Sequence, residues 1–297
     1  MKKAANTISL IIPTYNRLPY LKNCLRALKK QKFKNFEIIV VNDGSNDGTG
    51  NFLDSEKNLK VIQHKKNLGP SISRNDGAGF ASADILVFTD DDCEPEENWL
   101  LEIVQSFKDS DFIFGRTVYV RANYEGNFPE RIVQNPDALW PMANNLAFKK
   151  NVFKKLGGFD SYFDKFHNED SELAIRAVSK NYRFKRLPSA LVYHQKTNWK
   201  LRGLLCSAKN ASVWPILKKK YPHNYKIFNP PIRGIFVNRE DYFFILILPI
   251  LLPALLLRFI LNGKNNFLLF FTKWPLVLIL RRFYIWKESI VNGIIML

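Results

Sequence analysis

Residues 85–88, Ile-Leu-Val-Phe, run through Thr89 into three consecutive aspartates, Asp90, Asp91 and Asp92. A short apolar run bounded by polar residues is the pattern of a buried strand in a parallel sheet. The aspartates would then stand at its carboxyl end, where open α/β sheets bind their ligands. In an extended chain Asp90 and Asp92 project to one side and Asp91 to the other. Two carboxylates on one side repel and call for a cation. Mg²⁺ or Mn²⁺, held by one or two carboxylates and substrate phosphates, would meet that need. The plain alternative is a solvated acidic turn.

The residues before the turn carry the same strand pattern three more times. Apolar runs at 8–12, 36–41 and 59–63 read as strands, the first stopped by Pro13. Between them, residues 18–30 place Leu21, Cys24, Leu25 and Leu28 at helical spacing, and 46–49 and 71–80 begin or form further helices. Asn42-Asp43-Gly44-Ser45 is a strong turn signal. Such alternation predicts a parallel sheet covered on both faces, an α/β fold. Beyond the aspartates we expect a helix over 96–107 and a strand over 112–120. A long loop over 121–141 follows, then a strand at 145–148 and a helix at 152–156 ended by Gly157-Gly158. Glu169 and Asp170 open a helix running to Lys180, and acids in a first turn also suit the helix dipole. Strands over 183–192 lead to Tyr193 and His194.

Charge separates the tail from the rest. The chain of 297 residues has 44 Lys+Arg against 27 Asp+Glu, a net charge of +17. From Lys196 onward there are 16 basic and 3 acidic residues, a net +13, so the first 195 residues carry only +4. Such asymmetry points to nucleic acid or to an anionic membrane. The apolar segments decide for membrane and against nucleic acid. Residues 199–220 read as one basic helix and 221–241 as a linker. Residues 242–257 carry no charge and extend past Arg258 to 261, about the length that spans a bilayer. Residues 267–280 form a second run, interrupted by Lys273 and Pro275. Together they suggest a hydrophobic helical hairpin with its tip at 262–266, crossing or dipping into the membrane. Arg281-Arg282 would return it to the cytoplasmic side. Cys24, Cys93 and Cys206 fit neither a disulfide framework nor a zinc site, so a reducing compartment is expected. The apolar stretch at 8–12 is too short for a signal peptide and has no cleavage site, so we read it as the first strand of a cytosolic domain.

The motifs resemble the family 2 glycosyltransferases of GT-A fold. The likeness rests on Ile11-Ile12-Pro13-Thr14-Tyr15-Asn16-Arg17, Val40-Val41-Asn42-Asp43-Gly44-Ser45, Asn67-Leu68-Gly69 and Arg74-Asn75. It continues through the aspartate turn, Leu156-Gly157-Gly158-Phe159-Asp160 and Glu169-Asp170. It covers roughly residues 7–195. A catalytic domain over 1–198 is expected, with a nucleotide-sugar half to about 95 and an acceptor half after it. By that likeness Pro13, Tyr15, Arg17 and Asp43 would form the nucleotide-base pocket, and Arg74 would approach the diphosphate or base. Asp90, with Asp91 beside it, would touch the ribose. Asp92 would ligate the divalent ion, with His194 where some relatives supply another ligand, and Asp170 would be the general base. The implied activity is inverting, metal-dependent transfer from a nucleotide diphosphate-sugar, a UDP-sugar by preference. The acceptor would be a hydroxyl of a saccharide or lipid-linked saccharide. Asn144 and Asn145 are candidates to reach the donor sugar, and Trp140 either stacks on a sugar or packs in the core.

The chemistry is consistent with that reading. A glycosyl diphosphate needs its leaving charge neutralised, which a metal and Arg do. Its acceptor hydroxyl needs a positioned base. A glycoside hydrolase also uses two carboxylates, but has no need of the early turn motifs. A sugar nucleotidyltransferase would carry a glycine-rich phosphate loop after the first strand. A non-catalytic membrane scaffold would not need Asp92 and Asp170.

Overall fold

The computed structural model describes residues 7–120, 130–131, 134–195, 197–198, 201–228, 252–253, 256–257, 260–261 and 276–294. The chain forms two compact units. Met1–Val120, Val133–Asp164 and Glu169–Gln195 make the first; Arg121–Ile132, Lys165–Asn168 and Lys196–Leu297 make the second.

The first unit is built on β1 (Ile8–Thr14), α1 (Leu18–Lys29), β2 (Phe36–Asn42), α2 (Thr49–Ser55), β3 (Lys60–Gln63), α3 (Pro70–Phe80) and β4 (Ile85–Phe88). It continues with β5 (Cys93–Pro95), α4 (Trp99–Ser106) and β6 (Phe112–Tyr119), the two-residue β7 (Glu130–Arg131) belonging to the second unit. Then come β8 (Leu146–Lys149), α5 (Lys150–Leu156), α6 (Glu169–Ser179) and β9 (Phe184–His194). One mixed sheet results, in the order β3-β2-β1-β4-β8-β6-β9-β5. The half made by β1 to β4 is parallel, while β8 runs antiparallel to both β4 and β6. The expected α/β alternation is therefore present.

Residues 8–12 are all buried, as a strand covered on both faces requires. Leu10 and Ile12 join the core with Leu21, Leu25 and Trp99. On the other face α3 lies so close that a Cβ on Gly77 would stand 2.6 Å from Ile11 Cγ2. Only glycine allows that approach.

Pro13 does not stop β1, contrary to expectation. The strand runs to Thr14, and Pro13 keeps register with Val41. Thr14 O accepts from Asp43 N on the β2 side, whereas Ile11 O accepts from Thr89 N on the β4 side. Alternation puts the missing N–H of Pro13 on the β4 side, where the ladder has already ended at Ile11 and Phe88. No ladder bond is lost, so proline is tolerated.

In the second unit β7 pairs with β10 (Thr197–Asn198). The single basic helix expected over 199–220 is instead two, α7 (Leu201–Asn210) and α8 (Val213–Lys220). Pro215 lacks an N–H and would clash with the carbonyl of residue 211 in a continuous helix, so the helix restarts and holds proline in its first turn. The helix α9 (Val277–Asn292) packs on α7 and α8 through Val277, Leu204 and Ala208, with Leu280 and Tyr284 beside them. Most of the expected hydrophobic hairpin, and residues 121–129 and 132–133 of the long loop, lie outside the described residues. The second apolar run continues helically through Arg281-Arg282 to Asn292, with Arg282 buried. Among the described residues no helix is long and apolar enough to cross a membrane.

Candidate active site

The carboxyl ends of β1, β2 and β4 carry the residues singled out from the sequence. After β4 the chain does not stay extended. Cys93 N donates to Asp90 O at 3.2 Å, closing a turn over the three aspartates. The expected alternation of Asp90 and Asp92 against Asp91 therefore fails. Instead Arg17 Nη1 donates to Asp92 Oδ2 at 2.8 Å and to Asp91 Oδ1 at 3.3 Å. Asp91 Oδ2 also accepts from Thr14 Oγ1 at 2.8 Å. Burial pushes the Asp91 carboxyl up to about 7, against the opposing pull of Arg17.

Asp90 turns to another partner. Arg74, projecting from α3, donates to Asp90 Oδ1 at 2.7 Å through Nη2 and to Glu169 Oε1 at 2.9 Å through Nη1. Its guanidinium also lies 5.4 Å from the centre of the Phe159 ring. Burial would raise the Asp90 carboxyl, but the charge and hydrogen bond of Arg74 outweigh it and hold the carboxyl below its ordinary value. One cation thus ties the aspartate turn to the first turn of α6.

Asp170 follows Glu169 on that turn and is half-buried. Its Oδ2 accepts from Ala143 N at 2.9 Å and its Oδ1 from Ser171 N at 2.6 Å. Burial first, and then the neighbouring charge of Glu169, lift its carboxyl to about 7, although those two N–H groups pull the other way. A carboxylate so raised accepts a proton better than an ordinary aspartate does.

His194 is brought to Asp92 by strand pairing. Cys93 of β5 stands opposite His194 of β9, and Gln195 N donates to Asp92 O at 2.8 Å. His194 Nδ1 lies 2.8 Å from Gln195 O, a carbonyl that can only accept, so Nδ1 is a donor there. Nε2 faces Asp92 Oδ1, 3.4 Å away. The ligand atoms of Asp92, Cys93 and His194 lie within 4.8 Å of one another, all three residues buried. A carboxylate and an imidazole nitrogen this close are ligand types that suit a divalent cation. The Cys93 thiol is pushed up by burial and then by Asp92, so it is the poorest ligand of the three.

Asp43 is placed apart from that cluster. It is buried and accepts from Leu68 N at 2.8 Å and Gly69 N at 2.9 Å, and His64 Nδ1 lies 2.7 Å from its Oδ1. It therefore organises the 67–69 turn. The turn around Gly44 is equally tight, since its φ is +75° and a Cβ would stand 2.6 Å from the Lys66 carbonyl carbon. Tyr15, beyond Pro13, is exposed. Its neighbour Asn16 exchanges hydrogen bonds with the second turn, Asn16 N donating to Ser45 Oγ and Asn46 N to Asn16 Oδ1.

Two candidates prove to be internal. Asn145 accepts from Trp99 Nε1 and donates to the carbonyls of Arg116 and Ala190, each at 2.8 Å. Asn144 Oδ1 accepts from Thr117 Oγ1. Both are buried, and these partners use the whole Asn145 amide, which leaves none of it free to reach a sugar. Trp140 is half-buried. Sequence reasoning missed Thr14 and His64 as site components. No local signal marks Thr14, and His64 is a lone histidine at the end of β3.

The mixed sheet flanked by helices, with the acidic turn at the end of its parallel half and Asp170 on α6, is GT-A-like. Residues 9–177 match the profile of glycosyl transferase family 2. The chain belongs to that family. A Rickettsia bellii protein described as an uncharacterized glycosyltransferase is 34% identical over 151 residues, 50% of this chain and 20% of that one. The chain spans about half or less of the length of such curated relatives. Among solved structures, Staphylococcus aureus TarS 1–349 in complex with UDP-GlcNAc has a TM-score of 0.53 at 23% identity, covering 71% of this chain and 66% of TarS 1–349. The mannosyltransferase PcManGT of Pyrobaculum calidifontis, in complex with GDP-Man and Mn²⁺, has a TM-score of 0.51 at 17% identity, covering 97% and 76%.

Proposed function

We propose that the protein is an inverting glycosyltransferase that moves a sugar from a nucleotide diphosphate-sugar to an acceptor hydroxyl, with Mg²⁺ or Mn²⁺ as cofactor. The observation that carries the reading is the Asp90–Arg74–Glu169 chain, which holds the aspartate turn beside the helix bearing Asp170. Asp170, lifted by burial and by Glu169, takes the proton of the acceptor hydroxyl as that hydroxyl attacks the anomeric carbon. Attack opposite the departing diphosphate inverts the anomeric centre. Arg17 and Arg74 present fixed positive charge to the developing leaving group. Asp92 and His194 would hold the divalent ion, which supplies further counter-charge to the diphosphate. Pro13, Tyr15 and Asp43, at the ends of β1 and β2, would receive the nucleotide base.

TarS bound to UDP-GlcNAc supports a UDP-sugar as donor, and PcManGT, with GDP-Man and Mn²⁺, supports a nucleotide-sugar and a divalent ion more generally. The acceptor in this reading is a saccharide or lipid-linked saccharide, in cell-surface glycan synthesis. The basic, apolar tail supports a membrane-associated enzyme with its catalytic unit on the cytoplasmic side. The test is a screen of nucleotide-sugars with and without Mn²⁺ or Mg²⁺, scored by thermal stabilisation and by nucleotide release. Stabilisation and release that both need donor and metal are expected. The absence of both responses with every nucleotide-sugar would overturn the reading.

A further inference from the structure

The helix α9 faces the wrong way for a water-soluble surface. On the side turned to solvent, Ile279, Phe283, Trp286 and Ile290 are 48%, 56%, 43% and 81% exposed. Their spacing of four, three and four residues puts them on one stripe. The opposite side, packed on α7 and α8, buries Arg282 and Ser289 beside Val277 and Ile285. An amphipathic helix of a soluble surface shows the reverse pattern. A stripe of this size, with two aromatic rings in it, marks an interaction surface.

Charge says what covers it. The described residues 201–228, which include α7 and α8, hold six Lys or Arg and no Asp or Glu, and the last turn of α8 is Lys218-Lys219-Lys220. A basic body carrying an apolar stripe complements an anionic lipid surface. A second copy of the chain would set two such basic bodies against each other. The helix also carries Arg281, Arg282, Lys287 and Glu288 in its 16 residues, which suits lying along an interface and not crossing it.

We propose that α9 docks flat on an anionic bilayer, its Ile279–Phe283–Trp286–Ile290 stripe sunk among the acyl chains over about 17 Å of helix. The proposal rests on the membrane-associated reading of the enzyme and gives it a specific surface.

The test is flotation of the full chain with phosphatidylcholine vesicles, with and without phosphatidylglycerol. The parent should float with the anionic vesicles. A variant combining Phe283→Ser, Trp286→Ser and Ile290→Ser should float at least about tenfold less, with unchanged circular dichroism and unchanged nucleotide binding. Trp286→Phe keeps the stripe apolar, so it should still float while losing the share of quenching by brominated lipids that Trp286 contributes to the emission of the six tryptophans. Equal flotation of parent and triple variant would overturn the proposal. So would an absence of Trp286 quenching, or a parent dimer that the triple variant dissolves without any vesicle binding. Nucleotide binding is read separately, so failure of the catalytic reading cannot be mistaken for failure of this one.

Discussion

The Nε2 atom of His194 lies 3.4 Å from Oδ1 of Asp92, and both side chains are buried. In the proposed function this pair would hold the divalent ion; Arg17 touches both Asp91 and Asp92, but only Asp91 is also held by Thr14. Asp92→Ala should abolish metal-dependent nucleotide binding, and His194→Gln should weaken it by about 10-fold or more. Asp91→Asn should cost less than Asp92→Ala. Titration of Mn²⁺ against each variant, with bound nucleotide as the signal, checks the order; a dead Asp91→Asn beside a working Asp92→Ala would reverse the assignment.

In the proposed function Asp170 is the base. Asp170→Asn keeps the shape but removes the proton acceptor, so turnover should fall by roughly 10²–10⁴ while donor affinity barely changes. The base acts when ionised, so parent turnover should rise with pH through about 7. The folded protein holds this proton more tightly than the unfolded chain. The matching stability is therefore full below the ordinary aspartate range and lost as pH rises through about 7. A pH profile flat between 5 and 8 would move the base elsewhere.

Glu169 raises the carboxyl of Asp170 by its charge, second only to burial. Glu169→Gln removes that charge and retains an acceptor for Arg74. The acid limb of the turnover profile should then move to lower pH. Comparing profiles of parent and variant distinguishes tuning from mere support, which would lower turnover without moving the limb.

Arg74→Met leaves the Asp90 and Glu169 carboxylates without their shared cation. Removing one partner of a buried ion pair costs about 3–5 kcal/mol. The urea midpoint of the catalytic unit should fall accordingly, and donor binding with it. Arg74→Lys keeps the charge but cannot span both carboxylates as the guanidinium fork does, so it should recover only part of the loss.

The strands of the catalytic unit were legible because each is short, apolar and bounded by turn residues, and the periodicity of α1 picked out its buried face correctly. The break between α7 and α8 was signalled by Pro215, but the continuous spacing of Leu201, Leu204, Leu205 and Ala208 masked it. Asn145 looked available because a polar residue near a site and a polar residue satisfied inside a core have the same sequence. Only the carbonyls of Arg116 and Ala190 and the indole of Trp99, all bound to Asn145, tell the two cases apart.

What the sequence determined by itself is the alternation of apolar runs with helices, and the delivery of Asp43 and the three aspartates to strand ends. Both follow from local period and turn chemistry, which act over a few residues. Tertiary structure decided which aspartate meets which cation. The turn closed by Cys93 N and Asp90 O overrides strand alternation, and Arg17, Arg74 and His194 reach the cluster from three separate elements. It also decided the orientation of α9, since helical spacing places Ile279, Phe283, Trp286 and Ile290 on one stripe, but packing on α7 and α8 is what turns that stripe to the outside.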